Sequence, residues 1–219
     1  MIDPIEVSDR VLAIQEDARR ITGHAVSLIA VTKSFGCDAI AASVAAHCEG
    51  IGENYAQEIL EKAKADCLVA PLHFIGALQS NKIRQIAPYV SMWQSVDRAS
   101  LVSGIAQHSP GAQVLLQVNT TGEETKSGVD PSGIDALRQQ AQDVGLVVQG
   151  LMTLGPTSGT KDQRIGAFRA LRALADAQNL PICSMGMSED YVEALECGAT
   201  MLRIGSGLFG ARPPKQKSP

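Results

Sequence analysis

Residues Ser27–Gly36 read SLIAVTKSFG, an apolar, β-branched run of strand length that stops at a lysine. An open doubly wound sheet normally has a Gly-rich GxGxxG turn after its first strand, and TKSFG lacks that spacing. Seven more runs of strand length follow: CEGIGE from Cys48, LHFIGAL from Leu72, YVSMWQSVD from Tyr89, AQVLLQVNT from Ala112, LVVQGLMTL from Leu146, PICSMGM from Pro181 and MLRIGSGLFG from Met201. Strands that alternate with helical segments form a parallel sheet, and eight of them close a (β/α)8 barrel.

Between the runs, Ala56, Ile59 and Ala63 share a helical face, as do Ile134, Leu137, Ala141 and Val144, and then Ile165, Phe168, Leu171 and Ala175. Ahead of the first strand Val11, Ile14, Ala18 and Ile21 keep the same spacing, with Ser8 as the expected N-cap and Gly23 at the stop. This extra helix either plugs the barrel floor or lies alongside it. The expectation is one α/β domain over residues 1–212, a single (β/α)8 TIM barrel with an extra N-terminal helix, and a disordered tail over 213–219.

The 219 residues carry a formal charge of −4, with no run of Lys or Arg beyond the final PPKQKSP. That balance argues against nucleic acid or an anionic membrane as partner and leaves small anions open. MIDPIEVSDR places charges where a signal peptide has its apolar region, and no apolar stretch reaches membrane-spanning length. The five cysteines, Cys37, Cys48, Cys67, Cys183 and Cys197, include no CxxC and no zinc-site spacing. They read as reduced, mostly packed thiols of a cytoplasmic protein.

In a (β/α)8 barrel the C-terminal strand ends form the active face. That rule collects Lys33, Glu53, Asn54, Gln79, Ser80, Asn81, Asp97, Asn119, Thr153, Ser184 and Arg203 at one mouth. Lys62 and Lys64 fall on an outer helix, while Lys82, Lys126 and Lys161 fall in loops or helix starts. Arg203 is embedded between Leu202 and Ile204, and burying its charge is costly unless it is paired. It is either held by a barrel carboxylate such as Glu53 or turned toward a ligand. Gly205-Ser206-Gly207 is either just a turn or a place where backbone N–H groups approach an anion, at the usual phosphate site of this barrel. Lys33 is either a lysine reaching water from a strand end or a desolvated amine of lowered pKa, suited to forming a Schiff base. Pyridoxal 5′-phosphate joins an aldehyde to a phosphate across one flat ring and needs a partner at its ring nitrogen.

AVTKS, GENYAQE, HFIGALQSNK, the KSG of ETKSGVDP, GLMTL and SMGMSEDYVEALECGATMLRIGSGLFGAR span nearly the whole chain. Together they resemble the pyridoxal phosphate homeostasis protein family, the single-domain relatives of the alanine racemase barrel often called the YggS family. The resemblance implies a type III pyridoxal phosphate barrel in which Lys33 holds the cofactor as an internal aldimine. It further implies that Ser184, Gly205 and Ser206 hold the phosphate, that Arg203 faces the pyridine nitrogen and that Asn54 lies near the cofactor. Ala77 and the pair Ser206-Gly207 depart from the Pro or His and the Thr-Ala of many relatives, but a hydroxyl is kept at Ser206. Tyr191 and Met187 read as helix packing and turn filling, and Cys183 and His73 as core residues.

The implied function is to carry pyridoxal phosphate and pass it on, with apo pyridoxal phosphate enzymes and free amino acids as partners of a monomer. The alternative is a pyridoxal phosphate-dependent amino-acid racemase. Racemisation needs a base on each face of the substrate α-carbon, and the alanine racemases bring one of theirs, a tyrosine, from a second domain. The three tyrosines, Tyr55, Tyr89 and Tyr191, all fall in barrel segments, so a carrier and not an enzyme is expected.

Overall fold

The computed structural model describes residues 2–123 and 125–211, so the tail expected over 213–219 lies outside the described residues. In chain order the elements are α1 (Pro4–Thr22), β1 (Ser27–Val31), α2 (Cys37–Ala45), β2 (Gly50–Glu53), α3 (Ala56–Lys64), β3 (Leu72–Phe74), α4 (Ser80–Ile86), β4 (Met92–Val96), α5 (Ala99–His108), β5 (Gln113–Gln117), α6 (Ile134–Asp143), β6 (Val147–Met152), α7 (Lys161–Ala177), β7 (Ile182–Ser184), α8 (Tyr191–Glu196), β8 (Met201–Ile204) and α9 (Ser206–Phe209). Successive strands pair in parallel and β8 pairs back onto β1, which closes the expected (β/α)8 barrel.

Each strand lies inside its apolar run but is shorter than the run: β3 uses three residues of LHFIGAL and β7 three of PICSMGM. After β3 and β7 the rest of the run belongs to the loops at the C-terminal strand ends. Met185, one residue beyond β7, is fully buried. Alternation along the strands sorts the side chains into two layers. Ile29, Met92, Leu115, Met152 and Met201 fill the barrel interior as a cluster of their own, while Leu28, Ala30, Leu202 and Ile204 join the layer between sheet and helices. Full burial of such side chains stabilises the fold by about 1.5–3 kcal/mol each. Parity places Arg203 on the inner face with Met201.

The first helix starts five residues earlier than expected, with its cap at Asp3 and not at Ser8. Asp3 is the N-cap, accepting from the Ile5 N–H, and Pro4 occupies the first helical position. Ser8 instead donates to the Pro4 carbonyl from inside the helix. Gly23 does end α1, in the left-handed conformation at φ +83°. The helix lies alongside the barrel and packs on α2, α8 and α9. Arg10 donates to the Leu208 carbonyl at 2.6 Å and the Tyr191 hydroxyl to the Asp17 carboxylate at 2.8 Å. Among the described residues no helix is long and apolar enough to cross a membrane.

The cysteines depart from expectation. Cys37 and Cys67 form a disulfide, with Cα atoms 5.7 Å apart, that ties the start of α2 to the turn after α3; Cys48, Cys183 and Cys197 are free. Tertiary packing brings the pair together across a separation of 30 residues, which no local motif announces. The cysteine pattern therefore gives no argument for a reducing compartment. Closing a loop of this size stabilises a fold by about 3–4 kcal/mol on the loop-entropy account. Reduction is expected to lower the unfolding free energy by about that amount in urea titrations, and the doubly substituted Cys37→Ser/Cys67→Ser protein should show the same loss with no further response to reductant.

Candidate functional site

The loops at the C-terminal strand ends enclose a cavity of about 590 Å³, with Lys33, Asn54, Arg203, Gly205 and Ser206 all in its wall. These five sequence-predicted residues come from the ends of β1, β2 and β8. Ser184, the sixth, is fully buried at the end of β7, beneath Arg203 and outside the cavity wall.

The backbone on both sides of Lys33 is held by α3 and the end of β2. On one side the Thr32 hydroxyl donates to Glu53 Oε1 at 2.6 Å, and the Thr32 carbonyl accepts from Lys62 Nζ at 2.8 Å. On the other the Ser34 N–H donates to Glu58 Oε2 at 2.7 Å, which steadies Ser34 at φ +67°, an uncommon conformation for a residue with a Cβ. Lys62 is thus not an outer-surface residue. It is 6% exposed and forms an ion pair with Glu53 at 2.5 Å. Burial pushes the Glu53 carboxyl above the usual range, against the pull of Lys62 and Thr32 in the opposite direction.

This pairing also answers the question posed by Arg203. Glu53 serves Lys62, so Arg203 is not held by that carboxylate. The Arg203 guanidinium, 3% exposed, donates through Nη1 to Ser184 Oγ at 2.6 Å and through Nη2 to the Thr153 carbonyl at 2.8 Å. Both acceptors are neutral. Burial lowers its pKa to about 10, partly offset by the charge of Asp190, so it stays cationic at neutral pH.

Asn54 is locked by a close approach of loops: a Cβ at Gly76 would stand 2.1 Å from the Asn54 carbonyl oxygen, so only glycine fits there. The Asn54 Oδ1 atom is buried without a hydrogen-bond partner. The Gly207 N–H donates to Ser188 Oγ at 2.9 Å, and Ser188, Gly205 and Ser206 all line the cavity. SMGMSEDY does not mark out Ser188, because strand alternation ends at Ser184 and the chain then turns through Gly186 at φ +91°.

Two further departures concern Lys126 and Met187. Lys126 reaches the same cavity from the loop after β5 and donates to the Gly155 carbonyl, so Lys33 is not alone there. Met187, read as a turn filler, is part of the wall. The other collected polar residues serve the loops or a neighbouring space. Gln79 lines an adjoining cavity of about 470 Å³ shared with Asn54, Asp97 accepts from the Gly128 N–H, and Asn119 accepts from the Thr121 N–H. Ser80 opens α4, with Asn81 next to it. Tyr191 stays out of the wall, bonded to Asp17, and burial pushes the Cys183 thiol up to about 12, which keeps it protonated.

Removing Lys62 strands a buried carboxylate, so Lys62→Met is expected to destabilise the fold by about 3–5 kcal/mol. Adding Glu53→Gln to it should recover most of the loss in denaturant titrations.

Comparison with known proteins agrees with the barrel fold. Residues 10–213 match the alanine racemase N-terminal domain family. A curated pyridoxal phosphate homeostasis protein of Pseudomonas aeruginosa is 39% identical over 196 residues, covering 85% of this chain and 85% of its own. The structure of PipY from Synechococcus elongatus with PLP bound superposes with a TM-score of 0.78 at 28% identity, covering 93% of this chain and 100% of that one. Alanine racemase of Corynebacterium glutamicum shares the fold at a TM-score of 0.74 and 15% identity, over 99% of this chain and 63% of its own.

Proposed function

The chain belongs to the pyridoxal phosphate homeostasis protein family, and we propose that it binds pyridoxal 5′-phosphate in the mouth cavity, covalently through Lys33, and passes it on as a carrier. One observation carries the reading: the Lys33 amine, the buried Arg203 guanidinium and the hydroxyl-bearing Ser188 and Ser206 line a single cavity. The names of its relatives, and the PLP bound to PipY, point the same way.

The residues fit the cofactor. The cavity, about 590 Å³, has room for a ring with its phosphate arm. Ser206 and Ser188 hydroxyls and the backbone at Gly205 are donors suited to the phosphate. Ser184, assigned to the phosphate by resemblance, takes another part, as a support of Arg203. Arg203 can only donate, so it meets the ring nitrogen as an acceptor without a proton. Asn54 brings an unpartnered buried oxygen to the same wall. When bound, the cofactor would supply an aldehyde carbon to which the Lys33 amine could join, with water as the leaving group.

Carriage is favoured over racemisation by the placement of the tyrosines. Tyr55 is half exposed on the adjoining cavity, Tyr89 is exposed and Tyr191 is bonded to Asp17, so no phenol lies in the wall opposite Lys33. A partly open mouth also lets incoming amines, whether free amino acids or the lysines of apo enzymes, reach the bound cofactor.

Three measurements test the proposal. Borohydride reduction and peptide mapping should place the pyridoxyl group on Lys33; recovery mainly on Lys126 would move the covalent site across the cavity. Ser206→Asp should weaken pyridoxal phosphate at least tenfold, roughly 1.4 kcal/mol, and pyridoxal far less. In deuterated water with L-alanine the loaded protein should form almost no D-alanine. Turnover near roughly 1 to 10³ s⁻¹ would restore the racemase.

A further inference from the structure

Beneath the cavity a chain of buried polar groups crosses the barrel interior. Arg203 Nη1 donates to Ser184 Oγ at 2.6 Å, Ser184 Oγ donates to Gln94 Oε1 at 2.8 Å, and Gln94 Nε2 meets His73 Nδ1 at 2.7 Å. The four side chains are between 0% and 5% exposed. They come from β8, β7, β4 and β3.

The direction of every bond follows from the first. A guanidinium has no acceptor, so Ser184 Oγ must accept from it, and the one hydroxyl proton is then free to go only to Gln94. A serine that donates requires the oxygen of the Gln94 amide and not its nitrogen. The amide nitrogen therefore faces His73, and it can only donate, so His73 Nδ1 accepts and the imidazole proton sits on Nε2. A cationic imidazole has no acceptor and cannot close the chain. Burial agrees with this, lowering the His73 pKa to about 4. The remaining amide proton of Gln94 points to Met201 Sδ at 3.2 Å, so the amide has no second strong acceptor that would hold it in another orientation.

We propose that Ser184, Gln94 and neutral His73 are positioning residues that fix the Arg203 guanidinium in the cavity wall, and thereby set the preference of the site for a ring nitrogen that accepts a hydrogen bond. The proposal rests on the cofactor reading above. It gives Ser184 a role through Arg203 in place of contact with phosphate. It also gives a role to Gln94 and His73, which lie too deep to touch a ligand in the mouth.

The test compares three ligands on the full-length protein: pyridoxal 5′-phosphate, its analogue with C–H in place of the ring nitrogen, and pyridoxal. The wild-type protein should bind pyridoxal phosphate about 10-fold or more tighter than the C–H analogue, the scale of a hydrogen bond to a charged group. Gln94→Met, which keeps the volume and removes the amide, should bring that ratio close to one, while the ratio of pyridoxal phosphate to pyridoxal stays as in the wild type. Ser184→Ala removes a single oxygen and should do the same, and it decides the matter if Gln94→Met does not fold. An unchanged preference in both severing variants overturns the relay and leaves the cofactor reading standing. A loss of phosphate discrimination in Ser184→Ala overturns it too, in favour of direct phosphate contact. Failure of the wild-type protein to bind pyridoxal phosphate at all removes the cofactor reading and the relay with it.

Discussion

The pairing of β1 with β8 is the constraint on which the site depends. Ser27 lies opposite Met201 and Ile29 opposite Arg203, so the two ends of the sheet meet in one defined register. A slip of one residue would exchange the faces of every side chain on one of the two strands. In the observed register Lys33 leaves β1 and Ser206 leaves β8 at the same mouth, and Arg203 points inward below them. Residues remote in sequence become walls of one cavity because the barrel closes there, and an open sheet of the same strands would leave them at opposite edges.

Two buried cations are handled by different means. Lys62 is matched by a carboxylate, Glu53, with Thr32 sharing the same oxygen. The pair is neutral as a unit, and its work is local: it secures the backbone next to Lys33. Arg203 has only neutral oxygens in hydrogen-bond contact, a serine hydroxyl and a backbone carbonyl. Its charge is left unneutralised at short range and faces the cavity, with Asp190 the carboxylate whose field it feels. An unmatched positive charge there favours acceptor-rich, anionic ligands over neutral ones.

Much of this arrangement can be read from the residues, and what cannot has identifiable causes. Strand number follows from apolar runs bounded by turns, because each strand is buried on both faces. The strand ends do not, since the apolar character continues through Ile75 and Met185, past the last residues of β3 and β7. Arg203 is conspicuous because a charge amid Leu202 and Ile204 demands a reason. Lys62 is not, because a lysine among polar neighbours on a helix has the pattern of a solvated face, and only the position of Glu53 turns it inward. Ser184 and Ser188 stand four residues apart in one motif, and the turn at Gly186 decides which of them reaches the cavity. The disulfide depends wholly on tertiary proximity.

The first helix has a consequence for how the chain is made. Its buried face, Val7, Val11, Ile14 and Ala18, is covered by α2 on one side and by α8 and α9 on the other. At roughly 5–20 residues per second, the ribosome delivers those last two helices on the order of ten seconds or more after α1 has emerged. Through that interval the nascent chain presents a helix with one flank uncovered, a surface of the kind that chaperones hold. Covering α1 and closing the barrel seam are thereby coupled, since the two helices that complete its cover flank β8, the strand that pairs back onto β1.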